Sequence, residues 1–157
     1  MKVEFWMVGK TQFKYLNEGM EIYEKRLRKY VPFQTVVLPD IKNAKNLTPE
    51  QLKIKEGSMI LNKLEKNDWL ILLDEKGKVF TSEKFAYWVE RQLQHSAKKV
   101  VFLIGGAYGF SEDVYQRAQQ KVALSAMTFS HQMVRLFFIE QFYRALTILK
   151  NEPYHHS

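Results

Sequence analysis

Apolar and polar positions follow two different periods along this chain. From Val3 to Val8 runs an apolar stretch of strand character that ends at Gly9. From Phe13 to Arg28 the pattern becomes helical, with Tyr15, Ile22, Tyr23 and Leu27 at helical spacing. Pro32 breaks that helix, and Gln34 to Leu38 reads as a second, β-branched strand closed by Pro39-Asp40. A polar, lysine-bearing loop, Ile41 to Leu47, then leads to Thr48-Pro49-Glu50-Gln51. Here Thr can cap a helix, Pro can fill its first position, where a missing N–H costs nothing, and Gln can bond back to the cap. A helix is therefore predicted from this point to about Leu64.

Two further stretches, Trp69 to Leu73 and Val100 to Ile104, are apolar at every position. Continuous apolar strands belong to parallel sheets with both faces covered. Asp74 to Lys78 is predicted to be a polar loop after the first of them. Ser82-Glu83 opens a helix with Phe85, Trp88, Val89 and Leu93 on one face. Ser111-Glu112-Asp113 opens another, with acids at its positive end. Val122 to Leu124 is a short strand, and His131 to about Lys150 is the longest helix. Strands alternating with helices give an α/β fold, a single domain over residues 1–157 with a mainly parallel sheet flanked by helices.

The last helix carries apolar residues all round its circumference: Val134, Phe137, Phe138, Ile139, Phe142, Ala145, Leu146, Ile148 and Leu149. A helix apolar on every side has to be covered on every side. The expectation is that the sheet covers one side and a second subunit the other, so the protein is a homodimer. His131 and Arg135, four apart, are expected to share one face, and Glu140 and Arg144 the opposite one, at ion-pair spacing.

Composition narrows the chemistry. There is no cysteine, which removes disulfides, thiolate nucleophiles and Cys-bound zinc. His155-His156 has no upstream histidine partner at metal-ligand spacing, so no metal is expected. No stretch reaches the roughly 18 apolar residues of a membrane span, and Met1-Lys2-Val3-Glu4 does not open a signal peptide. The expected location is the cytoplasm, with no membrane partner. The net charge of +7 favours a polyanionic partner such as nucleic acid, although the basic residues are spread along the chain.

In open α/β sheets ligands bind at the carboxyl ends of strands. Three strand ends here suit a ligand: Leu73-Asp74, Gly105-Gly106 and Leu124 to Phe129. A dinucleotide fingerprint would need G-x-G-x-x-G after the first strand, where only Gly9 stands, and the phosphate-loop motif is absent.

An ordered set of residues spanning the chain resembles the ribosomal large subunit methyltransferase H (RlmH) family, a small branch of the SPOUT methyltransferases. It comprises Val8-Gly9-Lys10, Tyr23-Glu24-Lys25-Arg26, Lys55-Glu56-Gly57, Leu73-Asp74 with Gly77-Lys78, and Ile104-Gly105-Gly106 with Gly109. It continues through Leu124 to Phe129, His131-Gln132, Arg135, Glu140 to Ala145 and Pro153-Tyr154-His155. Ser130 departs from the proline frequent in the family, and a serine there can cap the last helix.

The resemblance implies a C-terminal deep trefoil knot, a feature that general rules of chain topology would not suggest. It implies S-adenosyl-L-methionine in that knot, held by Leu73, Gly105, Leu124, Ser125, Ala126, Met127, Thr128 and Phe129. It implies methylation of N3 of a pseudouridine in 23S rRNA, within the large subunit or the assembled ribosome, with the dimer itself holding the RNA. N3 is an imide N–H, poorly nucleophilic until its proton leaves. Arg144 or Arg135 is then a candidate to stabilise the imidate charge, and His155, Tyr154 and Glu140 are candidate proton acceptors. His131 is counted with them. The competing expectation is a non-catalytic RNA-binding protein on the same fold.

Overall fold

A computed structural model describes residues 1–95 and 98–156. The elements run β1 (Lys2–Val8), α1 (Lys14–Leu27), β2 (Phe33–Leu38), α2 (Pro49–Lys63), β3 (Trp69–Val79), α3 (Ser82–His95), β4 (Lys99–Ile104), α4 (Glu112–Arg117), β5 (Gln120–Ala123) and α5 (Met133–Leu149). The strands form one sheet in the order β2-β1-β4-β3-β5, and every pairing is parallel.

The apolar runs form the three inner strands because they need cover on both faces. Alternate side chains enter two separate cores. Phe5, Met7, Ile71, Phe102 and Ile104 meet α1, α3 and α5 on one face. Trp6, Leu70, Leu72, Val101 and Leu103 meet Ile60 of α2 and Val114 of α4 on the other. Thr48 caps α2 as its sequence demands: its Oγ1 accepts from Gln51 N at 3.1 Å, and Gln51 Oε1 accepts from Thr48 N at 3.0 Å.

Three expectations change. On α1 the buried face is Leu16, Met20 and Leu27, whereas Tyr15 and Ile22 point outward. Asp74 to Lys78 is not simply a loop, because β3 continues to Val79 with a break in register. Leu73 and Lys78 both pair with Val122, so residues 74–77 bulge from the ladder. α5 begins at Met133, and His131 lies in the preceding turn. Ser130 holds that turn, its Oγ accepting from Met133 N at 3.0 Å.

α5 is buried largely by its own chain. It packs between α1 and α3, with the rings of Phe138 and Phe142 tilted against Phe5, Phe33 and Phe102 of the sheet. The outward side retains Phe137, 38% exposed, beside Met133 and Leu136.

Candidate active site

The carboxyl ends of β3, β4 and β5 open on a cleft of about 500 Å³. That volume suits a small organic ligand, for which pockets of about 300–1,000 Å³ are usual. The cleft gathers Leu73, Gly105, Leu124, Ser125, Met127, Thr128 and Phe129, together with His131. Ala126 is not part of its lining. It occupies a tight turn in which Met127 N donates to Ser125 Oγ at 3.0 Å.

The lining is two-sided in character. Leu73, Ile104, Leu124 and Val134 supply apolar surface, and the Gly105–Gly109 loop supplies backbone. Asp74 and Glu75 stand at the rim as acids. Asp74 is held by the Tyr115 hydroxyl and accepts from Lys76 N at 2.8 Å. Burial and the hydrogen bond to Asp74 push the Tyr115 phenol well above its ordinary pKa, so it stays a donor. The apolar wall, the glycine backbone and the Asp74 and Glu75 carboxylates, which outnumber Lys76 in the lining, fit a molecule with a flat ring and a positive charge, as S-adenosylmethionine has.

Gly105 is tight for a reason within the loop itself. A Cβ there would lie 2.9 Å from the Phe110 ring and 3.2 Å from Gly109 O. A side chain would therefore displace the loop that shapes the cleft, instead of projecting into an open ligand space.

The other predicted residues lie elsewhere. Arg135 is 1% exposed and turned toward the end of β1, not toward the face of His131. Its guanidinium donates to Gly9 O and Val8 O at 2.8 Å each and to Thr11 Oγ1 at 3.0 Å, while Nε has no partner.

Glu140, Arg144, Tyr154 and His155 form a second cluster near the C-terminal end of α5. Arg144 pairs with Glu140 Oε1 at 2.6 Å, lies over the Tyr154 ring at 4.8 Å, and donates from Nη1 to His155 Nδ1 at 3.1 Å. A guanidinium only donates, so Nδ1 accepts and the ring proton is assigned to Nε2, which donates to Glu83 Oε1 at 3.1 Å. Tyr154 shares a 3.0 Å hydrogen bond with Tyr23, and its ring meets Tyr143 edge-on. Burial, then the Tyr23 hydrogen bond, pushes the Tyr154 phenol up.

Tyr23, Tyr143 and Tyr115 were assigned no role by the sequence. Tyr23 stood in a quoted motif, but nothing in its spacing named a partner 131 residues away. Ten residues of α5 separate Val134 at the cleft from Arg144, about 15 Å at the helical rise. Cleft and tail cluster thus occupy different ends of α5 in one chain.

An all-parallel α/β sandwich with a ligand cleft at adjacent strand ends has a ready counterpart. The family described as "Predicted SPOUT methyltransferase" matches residues 1–155, which sets the class. Two solved structures share the fold at low identity. They are a probable methyltransferase from Bordetella pertussis (TM-score 0.51, 13% identity, 92% of this chain and 94% of that one) and a probable methylase family protein from Haemophilus influenzae (TM-score 0.52, 9% identity, 97% and 69%). Curated relatives named "Ribosomal RNA large subunit methyltransferase H" are far closer in sequence. The Parabacteroides distasonis and Flavobacterium johnsoniae proteins are each 54% identical over 157 residues and 100% of both chains. The Christiangramia forsetii protein is 51% identical over 156 residues, 99% of each. The chain belongs to the ribosomal large subunit methyltransferase H family.

Proposed function

We propose that this protein methylates N3 of a pseudouridine in 23S rRNA, using S-adenosylmethionine, as a cytoplasmic homodimer. The observation that carries the reading is the cleft at the ends of β3, β4 and β5, combined with relatives that are named for large-subunit rRNA methylation. The trefoil knot belongs to the same proposal. The segment after β5 folds back to line the cleft before entering α5, and it is there that a thread would pass.

Bound S-adenosylmethionine would supply an electrophilic methyl group. The chain must hold the base in line and help the N3 proton leave. Tyr154, protonated at neutral pH, is suited to orient or stack on the base and not to accept its proton. His155 is the better acceptor, but Arg144 occupies its Nδ1. Substrate entry has to open that contact, which frees the imidazole and leaves Arg144 facing the imidate charge. Glu140 keeps Arg144 in place meanwhile.

Distance and surface support the homodimer. A tail cluster about 15 Å from its own cleft along α5 can serve the partner's cleft if two chains pack on the outward side of α5. Apolar groups are available there: Phe137 touches Phe129 of the cleft wall at 4.9 Å between centroids, and Tyr15 lies against Met133.

The test is methyl transfer from labelled S-adenosylmethionine to ribosomes and rRNA lacking the modification, with the product nucleoside identified by mass spectrometry. Deleting residues after Glu152 is expected to preserve folding and S-adenosylmethionine affinity while lowering transfer about 10²–10⁴-fold. A wild-type protein that binds RNA and transfers no methyl group would be a binding protein on this fold.

A further inference from the structure

Two further hollows adjoin the cleft through shared lining residues. Lys76 lines both the cleft and a hollow of about 270 Å³, which also includes Lys121. Lys78 lines that hollow and a third, of about 450 Å³, whose wall on α3 is Lys84, Tyr87 and Arg91. Spacings of three and four place these α3 residues on one helical face. All three are exposed.

The track has one sign of charge. Among the described residues, no carboxylate lies within ion-pair distance of Lys78, Lys84 or Arg91. The nearby acids do not line the two outer hollows: Glu83 reaches the tail at His155, Glu75 belongs to the cleft, and Glu90, exposed one turn from Tyr87, lies outside both linings. Tyr87 presents a large ring, 55% exposed, between two cations. Lys78 lies over the Phe80 ring at 5.1 Å and, like Lys84 and Arg91, has no carboxylate partner among the described residues. Such cations alternating with an exposed aromatic ring form the pattern that holds single-stranded nucleic acid, through phosphate neutralisation and base stacking.

We infer that this track binds a single-stranded segment of the RNA substrate, with Lys78, Lys84 and Arg91 on phosphates and Tyr87 under a base. The inference rests on the proposed rRNA substrate. It names the route by which the strand leaves the methylated base.

The experiment measures binding of a fluorescent RNA hairpin across salt concentrations. It compares the wild-type protein, Lys78→Gln/Lys84→Gln/Arg91→Gln, and a control with equal charge loss, Lys55→Gln/Lys66→Gln/Lys98→Gln. The control sites lie on α2 and at the amino-terminal edge of the sheet. In the track variant affinity should fall at least tenfold, and the slope of log K against log salt should flatten by about 2, near 0.7 per lost contact. Tyr87→Ala should weaken binding roughly tenfold at unchanged slope. The melting temperature and S-adenosylmethionine affinity should match wild type in every variant. An unaltered slope in the folded track variant, an equal loss in the control, or wild-type binding to anionic vesicles but not RNA would overturn the inference. If the wild type fails to methylate RNA yet the track variant loses RNA binding, the track stands and the proposed reaction falls. If the wild type methylates and the track variant does so with unchanged KM, only the track falls.

Discussion

Replacing Arg135 with Met should unfold the protein at a markedly lower temperature without removing a group from the reaction. The guanidinium makes three hydrogen bonds to the end of β1 and to Thr11, all within 3.0 Å. At about 1.5–3 kcal/mol for each bond to a charged group, their gross loss is about 4.5–9 kcal/mol. Opposing this, the buried cation is desolvated, which lowers its pKa, and Nε is already unpaired. Met fills most of the space and relieves both costs, but it leaves two carbonyls and a hydroxyl without that donor at about 1–3 kcal/mol each, so a net loss of about 3–5 kcal/mol is expected. A domain of this size shifts about 2–4 °C per kcal/mol, which gives a fall of roughly 6–20 °C. Calorimetry reads the melting temperature, and methyl transfer is measured well below it, per folded molecule. The reasoning is refuted if Arg135→Met melts at the wild-type temperature while transfer drops 100-fold or more, because Arg135 would then act on the reacting groups.

Phe137→Glu should leave a folded chain that sediments as a monomer, whereas Phe138→Glu, whose side chain is fully buried among Phe5, Phe102 and Phe142, should not fold; a dimeric Phe137→Glu protein would move the interface elsewhere. Gly105→Val should abolish S-adenosylmethionine binding in calorimetry through displacement of the Phe110 loop, and unchanged affinity would separate that loop from the ligand. Glu56→Gln should flatten the pH dependence of stability. Burial, then Asp40, raises the Glu56 pKa, so the folded state holds its proton more tightly than the unfolded one. Stability from this group is therefore greatest at acid pH and declines as pH rises from the unfolded value of about 4.5 through the folded one. Melting curves at pH 5 and pH 8 test it, and an unaltered difference in the variant would clear Glu56 of that role.

The inner strands, the Thr48 cap and the strand ends that open on the cleft were legible because each is set by local pattern. Trp69 to Leu73 and Val100 to Ile104 are apolar throughout, and only a doubly covered strand satisfies that. The sequence misled where a side chain's fate depends on distant neighbours. Of the helical stripe Tyr15, Ile22, Tyr23 and Leu27, Leu27 is buried as its spacing suggests, yet Tyr15 and Ile22 face outward while Leu16 and Met20 join Leu27 on the buried side. Arg135 looked like a partner of His131 because four residues separate them, but α5 starts after His131 and its Arg135 face meets β1. The apolar circumference of α5 suggested a second subunit more strongly than the fold requires, since α1 and α3 already flank the helix. What remains for a partner is the narrow strip around Phe137.

The bulge in β3 makes one part of the cleft separable from the framework. Because Leu73 and Lys78 both register on Val122, the residues between them can change in length or identity without shifting any strand. Asp74, Glu75 and Lys76 are carried on that excursion, and they supply the charged rim of the cleft. Gly77 is the exception, since a Cβ there would come within 2.6 Å of the Val122 backbone. An engineer seeking a different cosubstrate preference would graft variants at positions 74–76 and leave the hinge glycine alone. The Gly105–Gly109 loop is tied to α2 instead: a side chain added at Gly106 would meet the buried Glu56 carboxylate at 2.8 Å, so that carboxylate has to move with it. One lip of the cleft can thus diverge by insertion, while the other can change only together with the helices behind it.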